Sequence, residues 1–247
     1  MTFLAKVTET DTVKHLRSPS YNYTFYKDTG FFMRWGKTLA DDPQFSPYGP
    51  ELLDLEISVN GCRGSGKGPC NFCYKSNTSA PPTNMTLDTV KTILAKFPRI
   101  NGIPVLTQIA YGITGIQTNP EFVDILCYTR EQGIIPNFTL TGVDLTDDIA
   151  REAAEYVGAI AVSAYPGQKD VCYNTARTFL DLGVKQTNIH LLYHDNNLEF
   201  VSEALEDILT DPRLKGLNAC VLLSAKPKGR GKKLKSLAQP EFNVLVS

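Results

Sequence analysis

"LLDLEISVNGCRGSGKGPCNFCYK", residues 52–75, begins in strict alternation and ends in a loop crowded with cysteine and glycine. Successive side chains of an extended chain point to opposite faces, so Leu53, Leu55, Ile57 and Val59 share one side and Asp54, Glu56 and Ser58 the other. The pattern predicts a strand over 52–59 that packs helices on its apolar face and turns its polar face to an interior. The cysteine loop then leaves the C-terminal end of that strand, where βα folds place their chemistry.

The same punctuation recurs downstream. Thr86 is an N-cap for a helix over 86–97, and "TQIAYG" (107–112) is a second strand. Asn119 caps the next helix, with Pro120 at its first position. "IIPNFTLT" (134–141) precedes a helix over about 146–156, and "GAIAVS" (158–163) precedes one that Gly183 stops. "NIHLLYH" (188–194) leads into a helix closed by Asp211 and Pro212, and "NACVLLS" (218–224) is the sixth strand. Alternating strands and helices imply a parallel sheet with helical crossovers. The expected fold is α/β, a partial (βα)6 TIM-like barrel over residues 51–247 with its sixth helix begun at "EFNVLVS". Residues 1–50 form an N-terminal extension that covers part of the barrel, with a β-hairpin at "YNYTFYKDTGFFMRWG" (21–36) turning at Asp28, Thr29 and Gly30.

Alternation also predicts the barrel lumen. Phe138 and Leu140 oppose Asn137, Thr139 and Thr141, and Ile160 and Val162 oppose Ala159, Ala161 and Ser163, while His190 and His194 share a face. A purely structural barrel fills its interior with bulky branched side chains. Polar and small residues there suit a ligand.

The 247 residues are 42% hydrophobic and 21% charged with a net charge of −1, which fits one large domain with an ordinary core. Such a balance gives no general attraction to nucleic acid or membrane. The longest apolar stretch, "VGAIAVSAY" (157–165), is far short of the roughly 18 residues of a spanning helix, and no N-terminal signal segment is visible. A cytoplasmic location is expected, where clustered cysteines stay reduced and bind metal or do chemistry.

Three of the six cysteines are spaced Cys62-x7-Cys70-x2-Cys73. A structural zinc site uses four ligands, usually as two separated knuckles, and Cys127, Cys172 and Cys220 supply no second knuckle. Three thiolates suit a 4Fe–4S cube with one iron open to another ligand. Glycines at 61, 64, 66 and 68 let the backbone wrap such a core. "GSGKG" lacks the spacing of a phosphate-binding loop. The alternative from another class is a non-catalytic zinc or iron–sulfur adaptor, in which the thiols and a histidine hold the metal.

This triad, with Phe72 just before its third cysteine, resembles the signature of the radical S-adenosylmethionine superfamily, as a small branch with a Cys-x7-Cys-x2-Cys loop. "YGITGIQTNPEFVDIL" (111–126) resembles the family's glycine-rich second-strand segment, with Gly115 where a glutamate is usual. "NFTLTGVDLTDDIA" (137–150), "AIAVSAY" (159–165) and "NIHLLYHDNN" (188–197) resemble the segments of strands three, four and five. The resemblance implies an enzyme in which Cys62, Cys70 and Cys73 hold a 4Fe–4S cluster. That cluster reductively cleaves S-adenosylmethionine to a 5′-deoxyadenosyl radical, which abstracts hydrogen from a substrate. It further implies that Phe72 lines the adenine and that Gly112, Thr114 and Gly115 meet the methionyl group through their backbone. Ser163 then contacts the methionyl or ribose portion, and His194 or Asn196 the ribose or adenine. The implied partners are a one-electron reductant such as flavodoxin or ferredoxin, and a small-molecule, peptide or RNA substrate. Nothing points to a membrane.

"KPKGRGKKLK" (226–235) places six basic residues in ten after the sixth strand. The expectation is a basic loop at the barrel mouth that is solvated or grips a phosphate or carboxylate, with Gly229 and Gly231 making it flexible.

Overall fold

The structure, a computed structural model, describes residues 5–64 and 68–235. The stretch read as the start of a sixth helix lies outside the described residues.

The chain opens with four antiparallel strands in sequential order, β1 (Lys6–Glu9), β2 (Val13–Arg17), β3 (Asn22–Tyr26) and β4 (Phe32–Trp35). β3 and β4 are the expected hairpin, turning through Gly30 at φ +68°. The extension is therefore a four-stranded sheet rather than a single hairpin. β2 eluded the sequence reading because one of its inward positions is a lysine, Lys14, which breaks the apolar alternation.

Six parallel strands follow: β5 (Leu52–Glu56), β6 (Gln108–Gly112), β7 (Ile135–Leu140), β8 (Ala159–Ala164), β9 (Gln186–Tyr193) and β10 (Ala219–Ser224). They pair in the order β10-β9-β8-β7-β6-β5, an open sheet with the first and last strands at its edges. The helices are α1 (Leu87–Leu94), α2 (Phe122–Glu131), α3 (Asp147–Tyr156), α4 (Lys169–Asp181) and α5 (Leu198–Thr210). This is the expected partial barrel.

Local chemistry sets the boundaries. Thr86 and Thr146 accept from the N–H of Thr89 (3.2 Å) and Ile149 (3.4 Å), satisfying free donors at the starts of α1 and α3. α2 begins later than its Asn-Pro signal. Asn119 Oδ1 caps the N–H of Glu121 at 3.0 Å, while its Nδ2 donates to Met85 O at 2.9 Å, so this one side chain ties α2 to the entry of α1. Gly183, at φ +86°, ends the turn after α4.

Alternation sorts the two faces as expected. Ile57, Ile109, Tyr111, Phe138, Leu140, Ile160, Val162, Ile189 and Leu191 are buried in one core beneath the helices. β5 is shorter than its pattern. After Ile57 the chain leaves the sheet, and Ser58 and Val59 pair antiparallel with Asn84 and Thr83. The cysteine loop therefore rises from its own two-residue ladder.

The N-terminal sheet covers the opposite end of the barrel. Val7, Leu16, Tyr21, Tyr23 and Phe25 form a second core with Val105 and Ile135, which stand at the N-terminal ends of β6 and β7. Tyr23 donates to Val105 O at 2.8 Å, and Gln186, at the start of β9, donates to Asp28 O at 3.2 Å. Lys14 pins the contact. It is fully buried, and its ammonium donates to the carbonyls of Gly133 (2.7 Å), Leu106 (3.1 Å) and Pro104 (3.3 Å).

Burial, opposed by Glu9, lowers the Lys14 pKa from 10.5 to about 8. Between those values the unfolded chain holds a proton that the folded chain has released, so stability gained from this group rises with pH. Burial raises the pKa of Tyr23, and raises that of Tyr111 to about 12, so these phenols oppose the rise above pH 10. Wild-type stability is expected to climb by about 1–3 kcal/mol from pH 8 to 10 through Lys14. Lys14→Met should flatten the climb, and urea titrations across this range in both proteins measure it. Equal slopes would remove Lys14 as the source.

Among the described residues, no helix is long and apolar enough to cross a membrane.

Candidate active site

The loop after β5 is anchored before it reaches its first cysteine. Asn60 and Gly61 both take positive φ, 61° and 63°, reversing the chain. Gly61 N–H then donates to Ala80 O (2.7 Å) and Cys62 N–H to Thr78 O (2.9 Å). Gly64 needs to be glycine twice over. Its φ is +51°, and a Cβ there would stand 2.1 Å from Gly68 O and 3.1 Å from Cys70 Sγ. Arg63 and Asp144 form an ion pair of 2.9 Å that ties the loop to the segment after β7. Ser65, Gly66 and Lys67 lie outside the described residues.

Cys62, Cys70 and Cys73 are free thiols, each partly exposed. Burial, then Cys62 and Cys73, hold the Cys70 pKa above the ordinary thiol range, and the Tyr165 hydroxyl acts against them. Mutual repulsion among incipient thiolates is what a cationic metal centre relieves. Among the described residues no three of His, Cys, Asp and Glu form a group that would hold a metal ion. A cube that offers each thiolate its own iron does not require the sulfurs to meet at one ion. The donor set, three thiols on one glycine-rich loop, fits such a cluster at three corners.

The other cysteines stand apart from this loop. Burial pushes Cys172 up to about 12 and Cys220 to about 11, so both are neutral thiols. Cys172 packs in the core and donates to Val162 O at 3.7 Å, and Cys220 packs against the same core. Cys127 lies on α2, 3.8 Å from Glu131.

Tyr165 joins the loop to β8. Its ring packs on Phe72 with centroids 5.4 Å apart, and its hydroxyl interacts with Ser163 and with the Cys70 thiol. Burial and the adjacent Cys70 raise its pKa, so the phenol stays protonated. Tyr165 directly follows β8, two residues after Ser163, a spacing from which Tyr165 was readable.

The second-strand segment is braced against the loop. Thr114 Oγ1 donates to Asn60 O at 2.6 Å. Gly112 and Gly115 accept at their carbonyls from Ile57 N–H and Thr118 N–H, both at 2.9 Å. Gly112 also makes room for a carboxylate, since a Cβ there would lie 2.7 Å from Glu56 Oε2. Glu56 pairs with Lys75, whose pKa is lowered chiefly by burial. Alternation placed Glu56 on the polar face of β5, but nothing in the sequence marked Lys75 as its partner. His194 and Asn196 follow β9 at the same end of the barrel but are engaged in their own turn. His194 Nδ1 accepts from Asn196 N–H at 3.1 Å, and the Asn196 amide donates to Asp195 at 3.0 Å. Ser163 and Phe72 thus gather around Cys70 through Tyr165, whereas no described contact brings His194 or Asn196 to the cysteines.

The basic run is solvated as expected at Lys226, Lys228, Lys232, Lys233 and Lys235, which are exposed, whereas Arg230 is held against the cysteine loop. Gly229–Lys233 form a 3-10 turn packed beneath the cysteine loop. Arg230 Nε donates to Cys70 O (2.8 Å), its second nitrogen to Asn77 O (2.7 Å), and its backbone N–H to Cys73 O (3.1 Å). Gly229 and Gly231 allow close approach rather than flexibility: a Cβ on either would come within 2.7 Å of a loop carbonyl oxygen. Lys226 lies over the Tyr74 ring, 4.6 Å from its centroid.

A scan against protein-family models returns no match, and no curated protein matches the chain. Solved structures do resemble it. Streptococcus suis SuiB bound to precursor peptide SuiA superposes with a TM-score of 0.67 at 12% identity, over 98% of this chain and 68% of SuiB. SuiB bound to S-adenosylmethionine gives 0.57 at 12%, over 81% of this chain and 46% of SuiB. Native anSMEcpe with bound AdoMet and Cp18Cys peptide gives 0.55 at 16%, over 80% of this chain and 58% of that one. At these identities the likeness establishes the fold alone, an open partial barrel of six parallel strands.

Proposed function

We propose that this chain is a radical S-adenosylmethionine enzyme that acts on a peptide. The observation carrying the reading is a loop of three free thiols at the C-terminal end of the first strand, in a fold shared with two proteins solved with that cofactor and a peptide. Cys62, Cys70 and Cys73 would hold a 4Fe–4S cluster. When bound, the cluster supplies an electron and an open iron, and S-adenosylmethionine supplies the radical that abstracts hydrogen.

The chain's own residues give that chemistry its setting. Phe72 and Tyr165 wall one side of the cysteine loop with rings tilted at 40° to each other, and Ser163 offers a hydroxyl beside them. The backbone of Gly112, Thr114 and Gly115 borders the other side and would receive the methionyl group. His194 Nε2 and Asn196 Oδ1, which the turn contacts do not use, would reach the ribose or adenine. Asn137, Thr139 and Asn188 lie on the lumen face with Ala110, Ala159 and Ala161 beside them, and Asp54 of β5 stands in register with Ala110. The N-terminal sheet packs over the far end at Val105 and Ile135, which favours substrate entry from the cysteine side. A reductant such as flavodoxin or ferredoxin would deliver the electron.

The test is anaerobic reconstitution with iron and sulfide, followed by reduction and addition of S-adenosylmethionine. A cluster spectrum that changes on addition, with 5′-deoxyadenosine as product, is expected. A colourless zinc protein inert to the cofactor would favour the adaptor instead.

A further inference from the structure

We propose that Arg230 is a positioning residue of the cysteine loop, and that the turn Gly229–Lys233 is a strap setting both retention and reduction potential of the cluster. The inference rests on the reading of Cys62, Cys70 and Cys73 as cluster ligands. Three donors from this one residue reach three carbonyls of the loop, those of Cys70, Cys73 and Asn77. The carbonyl and the N–H of a trans peptide point in opposite directions across one plane. Pulling Cys70 O and Cys73 O toward the strap therefore turns the N–H groups of Asn71 and Tyr74 away from it.

Amides so aimed would be available as donors to cluster sulfurs, and hydrogen bonds to sulfur raise the potential of an iron–sulfur centre. The guanidinium acts in the same direction. Its positive charge favours the reduced cluster, which would carry one more negative charge. The glycines make the approach possible. Gly231 has no left-handed backbone requirement, yet a methyl there would press on Phe72 O at 2.7 Å. Gly231→Ala thus perturbs the strap without touching its charge.

The experiment compares wild type with Arg230→Met, Arg230→Lys and Gly231→Ala in the full chain. Amide exchange over 68–79 in the metal-free proteins reads the loop itself, and melting by circular dichroism confirms folding. Arg230→Met should speed exchange about tenfold, as expected for loss of charge-assisted hydrogen bonds. After reconstitution, its cluster should be lost to a chelator about tenfold faster, within the range for outer-shell changes. Its midpoint potential, followed by electron paramagnetic resonance, should fall. Arg230→Lys should recover most of the potential but not the retention, because it keeps the charge and loses the fork. Gly231→Ala should lose retention with a smaller change in potential, and it serves alone if Arg230→Met fails to fold. Wild-type potential and retention in both Arg230→Met and Gly231→Ala would overturn the strap. A wild type that takes up no cluster would instead overturn the functional reading, with exchange still reporting whether Arg230 orders the loop.

Discussion

Cys70→Ala should fold, take up little stable cluster and form no measurable 5′-deoxyadenosine. Cys70 sits between its two partner cysteines in the loop, and its thiol feels both of them as well as Tyr165. Removing the sulfur leaves the Arg230 bonds to the backbone carbonyls in place, so the loop keeps its shape while losing a corner ligand. Losing an outer-shell partner of a metal site costs about 10–100-fold, and loss of a direct ligand should exceed that. Iron per chain, visible absorption and nucleoside product measure the effect. Cys172→Ala is the matched control. Its thiol is buried in the core and donates to Val162 O, so it should cost about 1 kcal/mol of stability and no cluster. A Cys70→Ala protein with wild-type iron and product would remove the triad from the chemistry.

Phe138→Ala should lower the free energy of unfolding by about 3–5 kcal/mol, the range for a buried phenylalanine. The ring stands at the centre of the barrel core. It meets Phe122 of α2 edge-on, with centroids 5.1 Å apart and planes at 87°, and Phe179 of α4 at 6.2 Å and 73°. Its loss opens a cavity between two helices and β7, and both edge contacts go with it. Urea titration would show the midpoint falling with little change in slope. A loss under about 1 kcal/mol would mean that the helices collapse onto the gap and that Phe138 is peripheral.

Both predictions draw on patterns the chain carries locally. A strand exposes one face every second residue, and this covalent fact placed Phe138 under the helices and Asn137 and Thr139 in the lumen. Threonine caps before α1 and α3, and Gly183 after α4, act within a few residues of themselves and were legible for that reason. β1 and β2 were not. Lys14 occupies an inward position and is tolerated there only because three carbonyls from the barrel base receive its ammonium, and those carbonyls lie about a hundred residues away. A buried lysine reads as solvent-facing until its acceptors are known.

The candidate site divides in the same way. Cysteine spacing, the Phe72 position and the glycines that let the loop turn are short-range features, and sequence alone determined them together with the order of strands and helices. Tertiary structure decided what surrounds the thiols. It brought Tyr165 onto Cys70 and Phe72, folded Glu56 over Gly112, and carried Arg230 across 160 positions to the Cys70 carbonyl. Spacing and periodicity follow from bond geometry along the chain. Contacts between distant segments follow from how helices and strands pack, and no local pattern encodes which carbonyl a remote arginine will meet.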